Sequence, residues 1–158
     1  MAKEIERKFL IGTKPVPYKG SDRVEIKQGY ILLGKNKQLR VRIYNDSKAF
    51  ICIKYTGSFV RDEYEYAIPL KDAIEMYNKC KLKIEKSRYT MKKKKYTIDI
   101  DLYKDNLVVV EVEFTNEKDA TEFVPLSWMG SEITGNKLYS NITLAKIKND
   151  GTKPKQSK

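Results

Sequence analysis

Residues 107–114 read LVVVEVEF, and the placing of this run decides the fold. It is too aliphatic for a ribbon in solvent, yet Glu111 and Glu113 interrupt it two residues apart. Successive side chains of a strand point to opposite faces, so Val110, Val112 and Phe114 share one side and the two glutamates the other. The same rule recurs outward along the chain. EIERKFL sets Glu4, Glu6 and Lys8 apart from Ile5, Arg7 and Phe9. LRVRI sets Arg40 and Arg42 opposite Leu39, Val41 and Ile43, and FICIKY sets Lys54 opposite Ile51, Ile53 and Tyr55. DEYEY places Glu63 and Glu65 against Tyr64 and Tyr66, and IDID places Asp99 and Asp101 against Ile98 and Ile100. IEKSRY adds Lys86 and Arg88, with Ile84 on their side.

A single alternating strand usually turns its charged face to water. Here the charges are sorted by sign within strands, whereas a solvated surface mixes them, and like charges two residues apart repel unless a counter-charge is near. The pattern therefore predicts a barrel turned inside out, with apolar faces under outer helices and charged faces around a wet bore. Charges removed from water need partners. Arg and Lys suit phosphate oxygens, and grouped carboxylates suit hard, oxygen-seeking cations such as Mg²⁺ or Mn²⁺. The residues alone thus point to a metal-dependent, phosphate-binding tunnel.

Composition narrows the chemistry further. The chain has 158 residues, is 34% charged and contains no histidine. That excludes imidazole acid–base catalysis and His-ligated zinc. Cys52 and Cys80 fall in a strand-like and a helix-like segment and read as small core residues rather than a disulfide or metal site. No apolar run of membrane-spanning length and no signal-peptide apolar region is present, so a cytoplasmic protein without membrane contact is expected. The net charge of +11 favours anionic partners, but five lysines and one aspartate from Lys146 onward supply four of the eleven. Residues 148–158 read as a disordered basic tail, and 1–147 as one domain.

Strands are predicted over 3–11, 23–33, 38–45, 49–56, 61–69, 84–91, 94–102 and 107–115. Short turns at GKNK (34–37), NDSK (45–48) and YKDN (103–106) imply antiparallel hairpins. Helices are expected over 70–81, 117–124 and 136–148. The fold class is α+β: an eight-stranded antiparallel β-barrel with helices packed on the outside.

At these residues the chain resembles the CYTH superfamily of triphosphate tunnel metalloenzymes. The N-terminal E-x-E-x-K signature is met by Glu4, Glu6 and Lys8. The likeness continues in order through QGYIL (28–32), LRVRI, CIKY, RDEYEYAI, IEKSRY, TIDID and LVVVEVEF. It ends in FVPLSWMGSEITGNKLYSN (123–141), which is similar to the C-terminal segment of bacterial inorganic triphosphatases. The resemblance implies an eight-stranded tunnel and hydrolysis of triphosphate compounds with Mg²⁺ or Mn²⁺. It implies that Glu4, Glu6, Asp99, Glu111 and Glu113 hold metal, with Glu63, Glu65 and Asp101 as supporting acids that position water. It also implies that Lys8, Arg40, Arg42, Lys54, Lys86 and Arg88 grip the phosphate chain, and that Lys8 and Tyr30 form a catalytic pair. The chain departs from similar members at Asp101, where they carry an aromatic residue, and at Leu138, where some carry a basic one.

The reading that follows is hydrolysis of inorganic triphosphate to pyrophosphate and phosphate, on a small-molecule substrate. Rival readings within the fold are a hydrolase of thiamine triphosphate or nucleoside triphosphates and a class IV-like adenylyl cyclase. A non-catalytic tunnel that sequesters a phosphorylated ligand is a third, weakened by the acids, which gain nothing beside a bare anion. Nucleic-acid binding rests on a pI near 9.5 and on KKKK (92–95), which reads as a solvated turn. The sequence leaves a homodimer open.

Overall fold

The computed structural model describes residues 3–17, 22–57 and 59–150, with the side chains of 149 and 150 left aside. Eight long strands follow one another: β1 (Lys3–Ile11), β2 (Arg23–Leu33), β3 (Lys37–Tyr44), β4 (Lys48–Tyr55), β5 (Val60–Ile68), β6 (Leu82–Lys92), β7 (Tyr96–Tyr103) and β8 (Val108–Phe114). A short β9 (Met129–Glu132), which the alternation rule did not reveal, adds to the edge of β1. The order across the sheet is β5-β4-β3-β2-β6-β7-β8-β1-β9, all neighbours being antiparallel. A further pairing of β1 with β5 closes the barrel. This closing seam is short, running only from Lys3 opposite Asp62 to Ile5 opposite Val60. The edge of β1 facing away from β8 is thus shared, with β5 taking its first residues and β9 its last.

Turn chemistry sets the register. Asn45 and Asp46, in the β3–β4 turn, both have φ of 50°, and Asn106, between β7 and β8, has φ of 67°. Asn and Asp accept this left-handed backbone more readily than other side-bearing residues. The Asn45 side chain also accepts the backbone N–H of Glu25, tying the turn to β2.

Two apolar layers cover the outer face. Helix α1 (Leu70–Lys79) lies over β2, β3 and β4, packing Ala73, Met76 and Tyr77 on Val41, Ile43 and Ala49. Its end approaches β2 so closely that a Cβ on Gly29 would meet Cys80 Sγ at 2.8 Å, which is why QGY needs its glycine. Helix α2 (Glu117–Glu122) starts at Asn116, whose side chain accepts the Asp119 N–H, and covers β1 and β8. Ile5, Phe9, Ile98, Ile100, Val110, Val112 and Phe114 fill this second layer with Ala120, Phe123, Trp128 and Met129. The hydrophobic faces of LVVVEVEF, IDID and EIERKFL therefore point outward into the core, not into the bore.

The third helix, α3 (Asn141–Asp150), behaves differently. It follows a 3₁₀ turn at Lys137–Tyr139 and lies across one end of the barrel, against β6. There Tyr139, Ile142, Leu144 and Ala145 pack on Leu10, Tyr30, Ile84, Tyr103 and Val109, side chains from the same strand faces that are charged further along. The bore is apolar and filled at that end. Residues 148–150, expected in the tail, complete α3, and 151–158 lie outside the described residues.

Candidate functional site

Register brings the charged faces together. Glu6 lies opposite Glu113 and Lys8 opposite Glu111, while Glu111 also faces Asp99. At the seam Glu4 lies opposite Arg61, and Lys54 lies opposite Glu63. These strands enclose a cavity of about 410 Å³. Its wall holds Glu4, Glu6, Lys8, Arg40, Arg42, Lys54, Glu63, Glu65, Arg88, Asp99, Glu111 and Glu113, together with Lys3, Tyr44 and Asn141.

On one side of the wall, cations and acids are interleaved. Lys54 Nζ is 2.5 Å from Glu4 and 3.6 Å from Glu63, and Arg40 donates to Glu63 at 2.9 Å. Lys54 and Arg40 hold the Glu63 carboxyl down at about 2 despite burial. Burial pushes Glu4 the other way, up to about 7, because Lys54 offsets only part of it and Glu6 adds repulsion. Lys8 Nζ sits 3.1 Å from Glu111 and 3.7 Å from Glu6, and both raise its proton affinity against the burial that opposes them. Lys8 is a fixed positive charge at any physiological pH.

On the other side Arg88 reaches three acids. It contacts Asp99 at 3.0 Å and Glu111 at 3.0 Å, and forks onto Asp101 through Nε at 2.6 Å and a terminal nitrogen at 2.7 Å. Lys8, Lys86 and Arg88 hold Glu111 well below the usual carboxylate range although it is buried. Asp99 is raised, chiefly by burial. Glu113 is raised too, by burial and then by the carboxylates of Asp99, Glu6, Glu63 and Glu111. No cation lies within ion-pair distance of Glu113 among the described residues, whereas Glu6 is reached by Lys8 and Arg61 and Asp99 by Arg88, so the uncovered negative charge of the wall is centred on Glu113.

Three residues of the expected set are not on this wall. Lys86 and Asp101 form a pair at 2.6 Å with both side chains fully buried. Burial lowers Lys86 to about 8, with Asp101 opposing. Tyr30 is also buried, its hydroxyl accepting from Gln28 at 2.7 Å, while Gln28 accepts from Arg42 Nε at 2.7 Å. The physical reason is the apolar end of the bore: Tyr30, Lys86 and Asp101 lie where the charged zone meets the side chains under α3. There Tyr103 donates to Asn141 Oδ1 at 2.6 Å, and Lys86 lies 3.4 Å from the same oxygen.

Sequence reasoning missed Arg61 and Gln28. Arg61 contacts Glu6 and lies 3.2 Å from Glu4. The alternation of RDEYEY puts it on the face of Glu63 and Glu65, where its positive sign breaks the sorting by charge. Cys52, read as a core residue, is buried with its thiol donating to Glu63 at 2.9 Å.

The donors can be tested against a cation. Glu6 facing Glu113, and Asp99 facing Glu111, are like charges in direct cross-strand opposition; Arg88 bridges the second pair, while in the first Lys8 and Arg61 reach only Glu6 and leave Glu113 without a cation among the described residues. The facing side chains are all carboxylates, the donor type hard divalent cations prefer. Cys52, Glu63 and Glu65 also bring ligand atoms within 4.8 Å of one another. That group fits poorly: Glu63 is taken up by Lys54 and Arg40, and the thiol, its proton affinity raised to about 11, donates rather than coordinates.

The CYTH domain family profile matches residues 2–127. A relative from Acetivibrio thermocellus named inorganic triphosphatase is 37% identical over 153 residues, covering 92% of this chain and 95% of that protein. One of the same name from Nitrosomonas europaea is 33% identical over 148 residues, covering 90% and 96%. The crystal structure of an inorganic triphosphatase superposes with a TM-score of 0.65 at 32% identity, over 92% of this chain and 95% of that one.

Proposed function

The chain belongs to the CYTH domain family, and from that premise we propose that it is a divalent-metal-dependent hydrolase that converts inorganic triphosphate to pyrophosphate and phosphate. The observation that carries the reading is one cavity wall that combines a cationic lining with facing carboxylates, one of which, Glu113, has no cation partner among the described residues. The working cation is Mg²⁺ or Mn²⁺, held by Glu4, Glu6, Asp99, Glu111 and Glu113, with Glu65 near the mouth. When bound, such a cation draws charge from phosphate oxygens and makes bound water more acidic.

The protein's own part is positioning and charge. Arg40, Arg42, Lys54 and Arg88 line the cavity where they grip phosphate oxygens, Arg with a forked geometry that suits them. Lys8, fully charged between Glu6 and Glu111, stabilises the negative charge that gathers on the transferred phosphoryl group. Water attacks the terminal phosphorus, the new P–O bond forms as the bridging P–O bond breaks, and pyrophosphate leaves with the bond's electron pair. The water's proton passes to a carboxylate of the wall that is not engaged with the cation. Tyr30 acts through Gln28 on Arg42, so it is a positioning residue rather than a group that touches substrate. Lys86 and Asp101 fix Arg88 from behind the wall.

No described helix is long and apolar enough to cross a membrane. A cytoplasmic place and a monomeric or homodimeric state are parts of the proposal. The experiment is release of phosphate from tripolyphosphate with Mg²⁺ or Mn²⁺, compared with ATP and thiamine triphosphate. Preference for tripolyphosphate supports the reading, and no hydrolysis of any of them by folded, metal-supplied protein refutes it.

A further inference from the structure

Arg61 is a cation at the closing seam, behind the cavity lining, that the expected set leaves out, and its surroundings give it a purpose. It sits on β5 at the closing seam, directly opposite Glu4 of β1. Its guanidinium contacts Glu6 and lies 3.2 Å from Glu4, two of the carboxylates assigned above to the metal. Its Nε–H is buried and finds no acceptor among the described residues. Arg40, a wall residue assigned to phosphate, shows the same buried Nε–H without an acceptor. An unanswered donor on a buried arginine is costly, and a phosphate oxygen is the acceptor this bore is built to receive.

We propose that Arg61 is a tethered counter-cation that changes partners during binding. Without metal its guanidinium covers the charge of Glu4 and Glu6. A divalent cation arriving at those carboxylates displaces it, and the released guanidinium turns its donors to the phosphate chain. Metal and substrate then assist one another through one side chain, and by linkage the assistance is equal in both directions. The inference rests on the proposed triphosphatase reading only for its substrate half.

The test uses Arg61→Met, which keeps the stem, and Arg61→Lys, which keeps the charge without the fork. Titration with Mn²⁺ alone, followed by the signal of the free ion, is expected to show tighter binding in Arg61→Met, by about threefold to tenfold, equivalent to about 0.7–1.4 kcal/mol. Binding in Arg61→Lys is expected to stay near wild type. Steady-state hydrolysis of tripolyphosphate is expected to show KM raised about tenfold in Arg61→Met with a smaller change in kcat, and partial recovery in Arg61→Lys. Mn²⁺ binding that is unchanged or weaker in folded Arg61→Met overturns the exchange. An unchanged KM overturns its second half. If the wild-type protein hydrolyses no triphosphate yet Arg61→Met binds Mn²⁺ more tightly, the functional reading fails while the counter-cation role stands. If Arg61→Met does not fold, wild-type KM in Arg61→Lys overturns the phosphate contact, and a raised one supports it.

Discussion

Substituting Asp101 by asparagine probes the part of the site where this chain departs from similar proteins. The carboxylate has no solvent exposure and takes three short contacts: Lys86 Nζ at 2.6 Å, Arg88 Nε at 2.6 Å and a second Arg88 nitrogen at 2.7 Å. Removing one partner of a buried ion pair strands the others and costs about 3–5 kcal/mol. Asparagine keeps one acceptor oxygen, so the lower end, about 3 kcal/mol, is expected. At about 2–4 °C per kcal/mol for a chain of this size, the melting temperature should fall by about 6–12 °C. The deficit should also depend on pH. Burial depresses Lys86 from 10.5 to about 8, so between those values the unfolded chain holds more protons and stability climbs with pH. Asp101 opposes that depression. Without it Lys86 falls further, the climb starts below pH 8, and the deficit narrows as pH rises toward 8. Thermal unfolding of both proteins across that range measures this, together with Asp101→Leu/Lys86→Met, which removes the stranded Lys86 charge but leaves Arg88 without its forked partner, so only part of the loss should be recovered. A fall of less than about 2 °C at neutral pH would mean that the cluster is wet and its burial misread.

Lys8→Ala and Glu113→Gln should each lower phosphate release from tripolyphosphate by about 10²-fold or more, and activity near wild type in both would remove them from the site. Glu4, raised from 4.5 to about 7, binds protons more tightly in the folded state, so metal-free protein should lose stability as pH rises through that window. Melting curves in EDTA from about pH 5 to about pH 8 should show the fall, and added Mg²⁺ or Mn²⁺ should reverse it, with no reversal contradicting a cation at these acids. Gln28→Leu leaves Arg42 Nε and the Tyr30 hydroxyl without a buried partner, about 1–3 kcal/mol, and should lower the melting temperature while raising KM more than it changes kcat.

What the sequence displayed was which side chains share a face. The alternation runs through seven of the eight long strands, β2 giving no charged residue to the wall, and it puts the acids and bases of LVVVEVEF, LRVRI and EIERKFL on one surface. The sorting of those charges by sign pointed to this surface curling inward, the family resemblance implied the same, and the short turns implied hairpins, whereas the pairings of β2 with β6 and of β1 with β8 have no such local signal. Depth along the bore was not displayed. Asp99 and Asp101 alternate identically, yet one lines the cavity and the other is buried behind Arg88, because α3 and the apolar residues beneath it fill that end. Alternation reports side, not distance from the mouth. Arg61 was hidden for a different reason: its role depends on β1 pairing with β5, the most distant neighbours in the sheet order, over three residue pairs that leave no local trace. β9 was hidden because four residues, MGSE, are too few to show a period.

The stopper that α3 makes at one end of the barrel determines traffic. A passage with a single doorway cannot be threaded, so a long phosphate polymer could be gripped only by its tip, and the interior admits it no further than the apolar packing around Tyr30 and Tyr103. Pyrophosphate must retreat through the opening that the next molecule needs. Departure and arrival therefore share one gate.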